Sequence, residues 1–281
     1  MAVAVAPELT AALGALVGEA AASGGEMAVC LRHLERGEAF DHLPDAAFVA
    51  ASTIKVPVLV ALYDAAARGR VDLDARVRLR PGDQVTGSGV LQLLTPGVRL
   101  SLRDLAELMI VVSDNAATNM ILDRVGIAET NACLDTLGLH TTRVHRGLQI
   151  IPAGATAFNT VTAGELATLL RCIAQGKAVS WEASRRMVAT LKRQQVRQAL
   201  PALLPDPEDA DGAAVGAVPA WELAHKTGSI PGLEHDVGIL YLPGQTVVTC
   251  VLTRGCGAGR AARELIARVG RAVWSHYTGI R

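Results

Sequence analysis

Residues 50–60 read Ala50–Ala51–Ser52–Thr53–Ile54–Lys55–Val56–Pro57–Val58–Leu59–Val60. Read as a helix, the segment places the Ser52 hydroxyl and the Lys55 amine one turn apart on the same face. That is a candidate nucleophile beside a candidate base. A serine hydroxyl is a poor nucleophile at neutral pH unless a neighbour takes its proton, and a lysine can do so only if burial or nearby positive charge lowers its pKa. The apolar run from Val56 to Leu62 supplies the buried setting. The helix is expected to run to about Arg68, with Pro57 in its first turns, where a proline costs least.

Two further tripeptides give this pair a context. Ser113–Asp114–Asn115 follows an amphipathic segment, and Lys226–Thr227–Gly228 lies in a strand-like segment near the C-terminus. A given tripeptide occurs by chance in a chain of this length only about a few times in a hundred, so all three motifs in this order point to one site. In spacing and order the chain resembles the serine β-lactamase and penicillin-binding protein superfamily, and is most similar to class A β-lactamases, from about Pro7 to Tyr277.

Composition is consistent with a small-molecule or peptide substrate. The formal net charge is zero and the pI about 7.1, leaving no electrostatic footprint for nucleic acid or an anionic membrane. Hydrophobic residues make up 50% and aromatics only 3%, so the core should be aliphatic. The five cysteines (Cys30, Cys133, Cys172, Cys250 and Cys256) have no metal-ligand spacing and read as small core residues or free thiols. His140, His145 and His235 lack cysteine or carboxylate partners at metal spacing, and no metal or other cofactor is expected. Residues 1–22 are apolar, but Pro7 and Glu8 interrupt them and no Lys or Arg precedes, so no signal peptide is read. The expected location is cytoplasmic, or periplasmic or secreted if an export signal has been removed. No later run reaches membrane-spanning length.

Along the chain, helix is expected at 8–22 and a hairpin at Met27–Leu34 and Glu38–Phe40 around Glu35–Arg36–Gly37. Ser101 caps a helix with an apolar face at Leu105, Leu108, Met109 and Val112. Helices follow at 115–125, 127–137, 162–175 and 181–200, the segment 138–161 is irregular, and Leu203–Ala220 reads as a surface loop. Strands at Leu223–Lys226, Val237–Leu242 and Thr246–Leu252 precede a C-terminal helix at 259–277. The expected fold is α+β and class A β-lactamase-like: an antiparallel sheet flanked by N- and C-terminal helices, with a mostly helical second domain. Residues 1–50 and 220–281 would form the α/β domain, 51–219 the helical one, with the active site in the groove between them.

The resemblance implies roles. Ser52 would attack a carbonyl and form an acyl-enzyme, with Lys55 taking its proton and Ser113 passing one to the leaving nitrogen. Asn115 would bond the substrate amide and Lys55. Lys226 and Thr227 would hold a substrate carboxylate, and Gly228 would let the substrate approach the strand. The backbone N–H groups of Ser52 and Ser229 would form the oxyanion hole. Asp114 reads as structural, His225 as a packing or surface residue on the opposite strand face, and Glu165 as part of a capping box after Thr162.

One part of the pattern is missing. Class A enzymes carry a loop glutamate that activates water against the acyl-enzyme, yet residues 143–159 contain no Asp or Glu, and Leu148 or Gln149 stands where it would be expected. Acylation machinery is present and water deacylation is in question. Three readings stay open: a serine hydrolase that deacylates by another route, a D-alanyl peptidase, esterase or acyltransferase on the same fold, and a non-turnover β-lactam binder or sensor.

Overall fold

The computed structural model describes residues 3–149, 157–207 and 219–280. Parts of two stretches singled out above, 143–159 and 203–220, lie outside the described residues. The chain opens with a short strand β1 (Val3–Ala4) and a helix α1 (Pro7–Ala22), whose Pro7 sits at the first helical position, where the missing N–H costs nothing. The hairpin β2 (Glu26–His33) and β3 (Glu38–His42) follows, then β4 (Phe48–Val49). A four-residue 3₁₀ turn, Ala51–Ile54, leads into α2 (Lys55–Ala67). Next come β5 (Arg76–Arg78), β6 (Arg99–Ser101), α3 (Leu102–Val111), α4 (Asn115–Val125) and α5 (Ile127–Thr136). The remainder is β7 (Thr160–Val161), α6 (Ala163–Ala174), α7 (Trp181–Lys192), three long strands β8 (Glu222–Ile230), β9 (Leu233–Leu242) and β10 (Gln245–Arg254), and α8 (Gly259–Thr278).

Six strands form one sheet in the order β1-β3-β2-β10-β9-β8. Its pairs are antiparallel except β1 with β3, a parallel edge pair that the sequence did not signal. Strand alternation sends neighbouring residues into different cores. Leu31, Val247 and Val251 pack with Leu13, Ile266 and Val269 of α1 and α8. Cys30, Val237, Cys250 and Leu252 belong to the other core, which includes Leu166 and Leu170 of α6 and the residues of α2. Helix α2 is buried from Lys55 to Tyr63 with no solvent face, as a helix apolar all round should be.

Three boundaries differ from expectation. The Ser52 segment begins as 3₁₀, not α. The strands extend beyond their apolar runs: β8 continues to Ile230, past Lys226, where the strand was expected to end. Helix α7 stops at Lys192, eight residues short of the expected end, because the next residues find tertiary partners: Gln194 Nε2 donates to Ile110 O at 2.9 Å and Gln195 N to Val111 O at 3.1 Å. These bonds satisfy orphan carbonyls at the end of α3.

Candidate active site

In a 3₁₀ turn, residues i and i+3 eclipse, so Ser52 lies directly over Lys55. The Lys55 Nζ is 3.0 Å from Ser52 Oγ, 2.7 Å from Ser113 O, 2.9 Å from Ser113 Oγ and 2.8 Å from Asn115 Oδ1. The geometry that brings Ser113 there is strained. Among the described residues only Leu43, Ala51 and Ser113 are non-glycines with positive φ, and two of them flank this cluster, at 43° for Ala51 and 57° for Ser113. Each such residue costs on the order of 1–2 kcal/mol. The left-handed turn at Ser113 ends α3 and aims both the carbonyl and the hydroxyl of that residue at Lys55.

The lysine side chain is wholly buried. Burial first, then the charge of Lys226, pushes its pKa well below the ordinary lysine value, against an opposing pull from Asp114. In the neutral amine only two N–H bonds are available. Ser113 O and Asn115 Oδ1 are acceptors and must receive them, which leaves the nitrogen lone pair facing the two serine hydroxyls. Such an amine can accept a proton from Ser52.

Lys226 is also fully buried, and burial brings its pKa down to about 7 against the attraction of Asp236. Its Nζ donates to Ser113 Oγ at 3.1 Å and to Thr227 O at 2.8 Å. Ser113 Oγ is thus set between two amines. Gly228 lies against the Ser52 turn. A Cβ there would lie 3.2 Å from Ala51 Cβ, Ser52 N and Thr53 Cγ2, so the glycine lets β8 pack on the Ser52 turn itself. Asp114 caps α4 through Ala117 N at 2.9 Å and holds the 86–91 loop through Val90 N at 2.6 Å and Leu91 N at 2.8 Å. That loop is seated so closely that a Cβ on Gly89 would fall 2.3 Å from Asp114.

A cavity of about 600 Å³ opens over Ser52. Its walls are Thr86–Ser88 and Asn115, residues 146–149 with Phe158 and Asn159, and Ser229 and Ile230 of the edge strand with Pro231 of the turn after it. Lys226, Thr227 and Ser113 stand behind this lining. The irregular segment is held by side-chain amides that substitute for a strand partner, a signal the sequence analysis missed. Asn131 pairs with both backbone groups of Val144, at 3.0 and 2.8 Å, and Asn119 with both of Leu148, at 2.6 and 2.7 Å. Asn159 accepts from His145 N and Arg146 N and donates to Arg146 O.

Glu165 departs from the expected capping box. Thr162 Oγ1 accepts from Glu165 N, but the carboxylate turns away and takes the N–H groups of His140, Thr141 and Thr142. Burial alone would raise its pKa; those bonds hold it below the usual range. His140 does have a nearby carboxylate, Asp135, with Nδ1 3.4 Å from Oδ1. Two buried acids have partners of their own. Glu234 accepts from Ser229 Oγ at 3.0 Å and pairs with Arg263 at 2.7 Å, and Asp236 lies 2.9 Å from His225 Nδ1.

The profile of the beta-lactamase enzyme family matches residues 8–277. The chain belongs to that family. A beta-lactamase of Bacillus licheniformis is 29% identical over 75% of this chain, the match spanning 65% of that protein's own length. Beta-lactamase L2 of Stenotrophomonas maltophilia is 28% identical, over 88% of this chain and 80% of its own. The solved beta-lactamase of Sphaerobacter thermophilus superposes with a TM-score of 0.88 at 32% identity, over 96% of this chain and 98% of its own. A protein described as PBP-A, with a TM-score of 0.83 and 31% identity, covers 99% of this chain and 98% of its own. A leucine-to-glutamate variant of PBP-A has been solved as an acyl-enzyme complex with penicillin G. An ancestral class A beta-lactamase matches at a TM-score of 0.82 and 25% identity, over 95% of this chain and 99% of its own. The fold is therefore α+β and class A beta-lactamase-like, and the chain ranks with beta-lactamase-like hydrolases. No helix among the described residues of this family member is long and apolar enough to cross a membrane.

Proposed function

We propose that this protein is an active-site serine hydrolase that forms an acyl-enzyme through Ser52 on a β-lactam or a related amide or ester. The observation that carries the reading is the Lys55 amine, whose N–H bonds are committed to two acceptor-only oxygens while its lone pair meets Ser52 Oγ at 3.0 Å. As Ser52 Oγ bonds to the substrate carbonyl carbon, its proton passes to Lys55. Lys55 gives a proton to Ser113 Oγ, Ser113 gives its own to the departing nitrogen, and the carbon–nitrogen bond breaks. Both lysines end as they began, and the net transfer is one proton from Ser52 to the leaving group. The N–H groups of Ser52 and Ser229 receive the developing oxyanion, a contribution of about 3–4 kcal/mol per donor in comparable sites. Asn115 and Thr227, with Lys226 behind, orient the leaving group and its carboxylate.

A second reading concerns the last step. The cavity wall at Leu148 and Gln149 offers no carboxylate to activate water. This favours a long-lived acyl-enzyme resolved slowly by water, or by an amine, with Lys55 as base, as in a peptidase, esterase or transferase. Intact-protein mass after mixing with benzylpenicillin, followed from minutes to hours, tests both readings. A penicilloyl adduct that persists in the native protein and is absent from Ser52→Ala is the expected result. A transient adduct with consumed drug retains Ser52 and overturns the slow last step. No adduct at all overturns acylation of β-lactams by Ser52.

A further inference from the structure

Among the described residues that line the cavity, Arg146 is the one titratable side chain. The cation is half-buried, and its guanidinium has no hydrogen-bond or ion-pair partner among the described residues. Its neighbour in the same segment behaves differently: Arg143 pairs with Asp135 and donates to Leu139 O and Thr142 O. No Asp or Glu occurs anywhere in residues 143–159, so the segment supplies no internal counter-ion. The backbone of Arg146, by contrast, is fixed on both sides by Asn159, at 3.0 and 3.1 Å. An unpaired guanidinium carried on a fixed backbone, on a half-buried residue of a concave and otherwise uncharged wall, is a carboxylate receptor, because its planar donors match a carboxylate two to two and low exposure weakens competition from water.

We infer that Arg146 binds a carboxylate on the acyl portion of the substrate, and that the preferred substrate carries a second carboxylate there. The inference rests on the proposed acylation of Ser52 for its direction. The leaving group must sit at Ser113, which hands it a proton. The acyl portion then extends the other way, along the wall formed by residues 146–149 and Phe158. The lysines cannot serve this anion: both are fully buried and already surrounded by Ser113, Asn115 and the strand backbone.

The test uses two penicillins that differ by one group. Benzylpenicillin has a single carboxylate on the leaving-group side, and carbenicillin has a further carboxylate on the acyl side chain. Second-order acylation rates are measured for the native protein, Arg146→Gln and Arg146→Lys, and read as the carbenicillin-to-benzylpenicillin ratio, so that any loss common to both drugs cancels. The expected result is a ratio about tenfold lower in Arg146→Gln, partly restored in Arg146→Lys, and lowered in the native protein by added salt. An unchanged ratio in Arg146→Gln overturns the inference. The same ratio is read from equilibrium dissociation constants in Ser52→Ala, with and without Arg146→Gln, so the inference is decided even where neither drug acylates. A selectivity lost with Arg146 in that background upholds the carboxylate receptor while acylation fails; selectivity absent from it sinks the receptor alone.

Discussion

Lys55 has four polar neighbours and at most three protons, and the identity of those neighbours decides its chemistry more than its place in the sequence. Two are acceptor-only oxygens, so its neutral form is oriented. The same burial makes both lysines sensitive to pH. Acylation is expected to fall as pH drops and Lys55 takes up a proton. Replacing Lys226 by Met removes a neighbouring positive charge that depresses Lys55, so the acidic limb of the rate profile moves to higher pH; a limb that stays in place shows that the two amines do not couple. The linkage to stability has the opposite sense from that of an ion-paired lysine. Lys226 titrates at about 7 in the folded protein against 10.5 ordinarily, so between these values the unfolded chain binds the extra proton and stability rises with pH. The rise is about 1.4 kcal/mol per pH unit for one such group, and it is absent below the folded value. Denaturant melts of the native protein and Lys226→Met should therefore differ most at pH 7 and converge towards pH 10, the variant being the more stable at pH 7. Parallel curves would show that Lys226 stays charged.

Elements meet at the site through contacts too close to tolerate a side chain. Gly228→Val places new carbons against Ala51, Ser52 N and Thr53, and the edge strand β8 must lift from the Ser52 turn. The expected outcome is an acylation rate lower by about a hundredfold, as small misplacements of reacting groups commonly produce, with the folded state retained in thermal melts. A native rate would mean that β8 does not help to form the oxyanion hole. The loop wall offers the converse experiment. Leu148 is held by both its backbone groups on Asn119, so Leu148→Glu would carry a carboxylate on a fixed segment. The acyl-enzyme lifetime, read by mass, is expected to shorten at least tenfold; an unchanged lifetime would show that water activation at this wall does not limit turnover.

Over the whole molecule, strand alternation puts Lys226 and the His225–Asp236 pair on opposite faces of the sheet. Lys226 reaches the site from one face of β8, while His225 meets Asp236 on the other, where Asp236 Oδ2 also accepts Leu200 N at 3.0 Å. This buried cluster ties the segment after α7 to the sheet. Asp236→Ala strands an imidazole and a backbone N–H and is expected to cost about 3–5 kcal/mol in denaturant unfolding, with Asp236→Asn recovering part. A loss below about 1 kcal/mol would show that the two groups find water instead.

The sequence by itself determined the three motifs and their order, the Ser101 cap, the helices up to α6 and the apolar runs that build β2, β9 and β10. These follow from local rules: period, capping and turn chemistry act over a few residues. The absence of an acid from residues 143–159 was legible for the same reason. Tertiary structure decided what depends on neighbours distant in sequence. It set the left-handed turn at Ser113, the depressed lysines and the end of α7, and it packed Gly228 against the Ser52 turn. It also decided which arginine has a partner. Arg143 and Arg146 look alike in sequence, yet one is neutralised by Asp135 and the other faces the cavity, because charge pairing is fixed by where a fold brings its chain together.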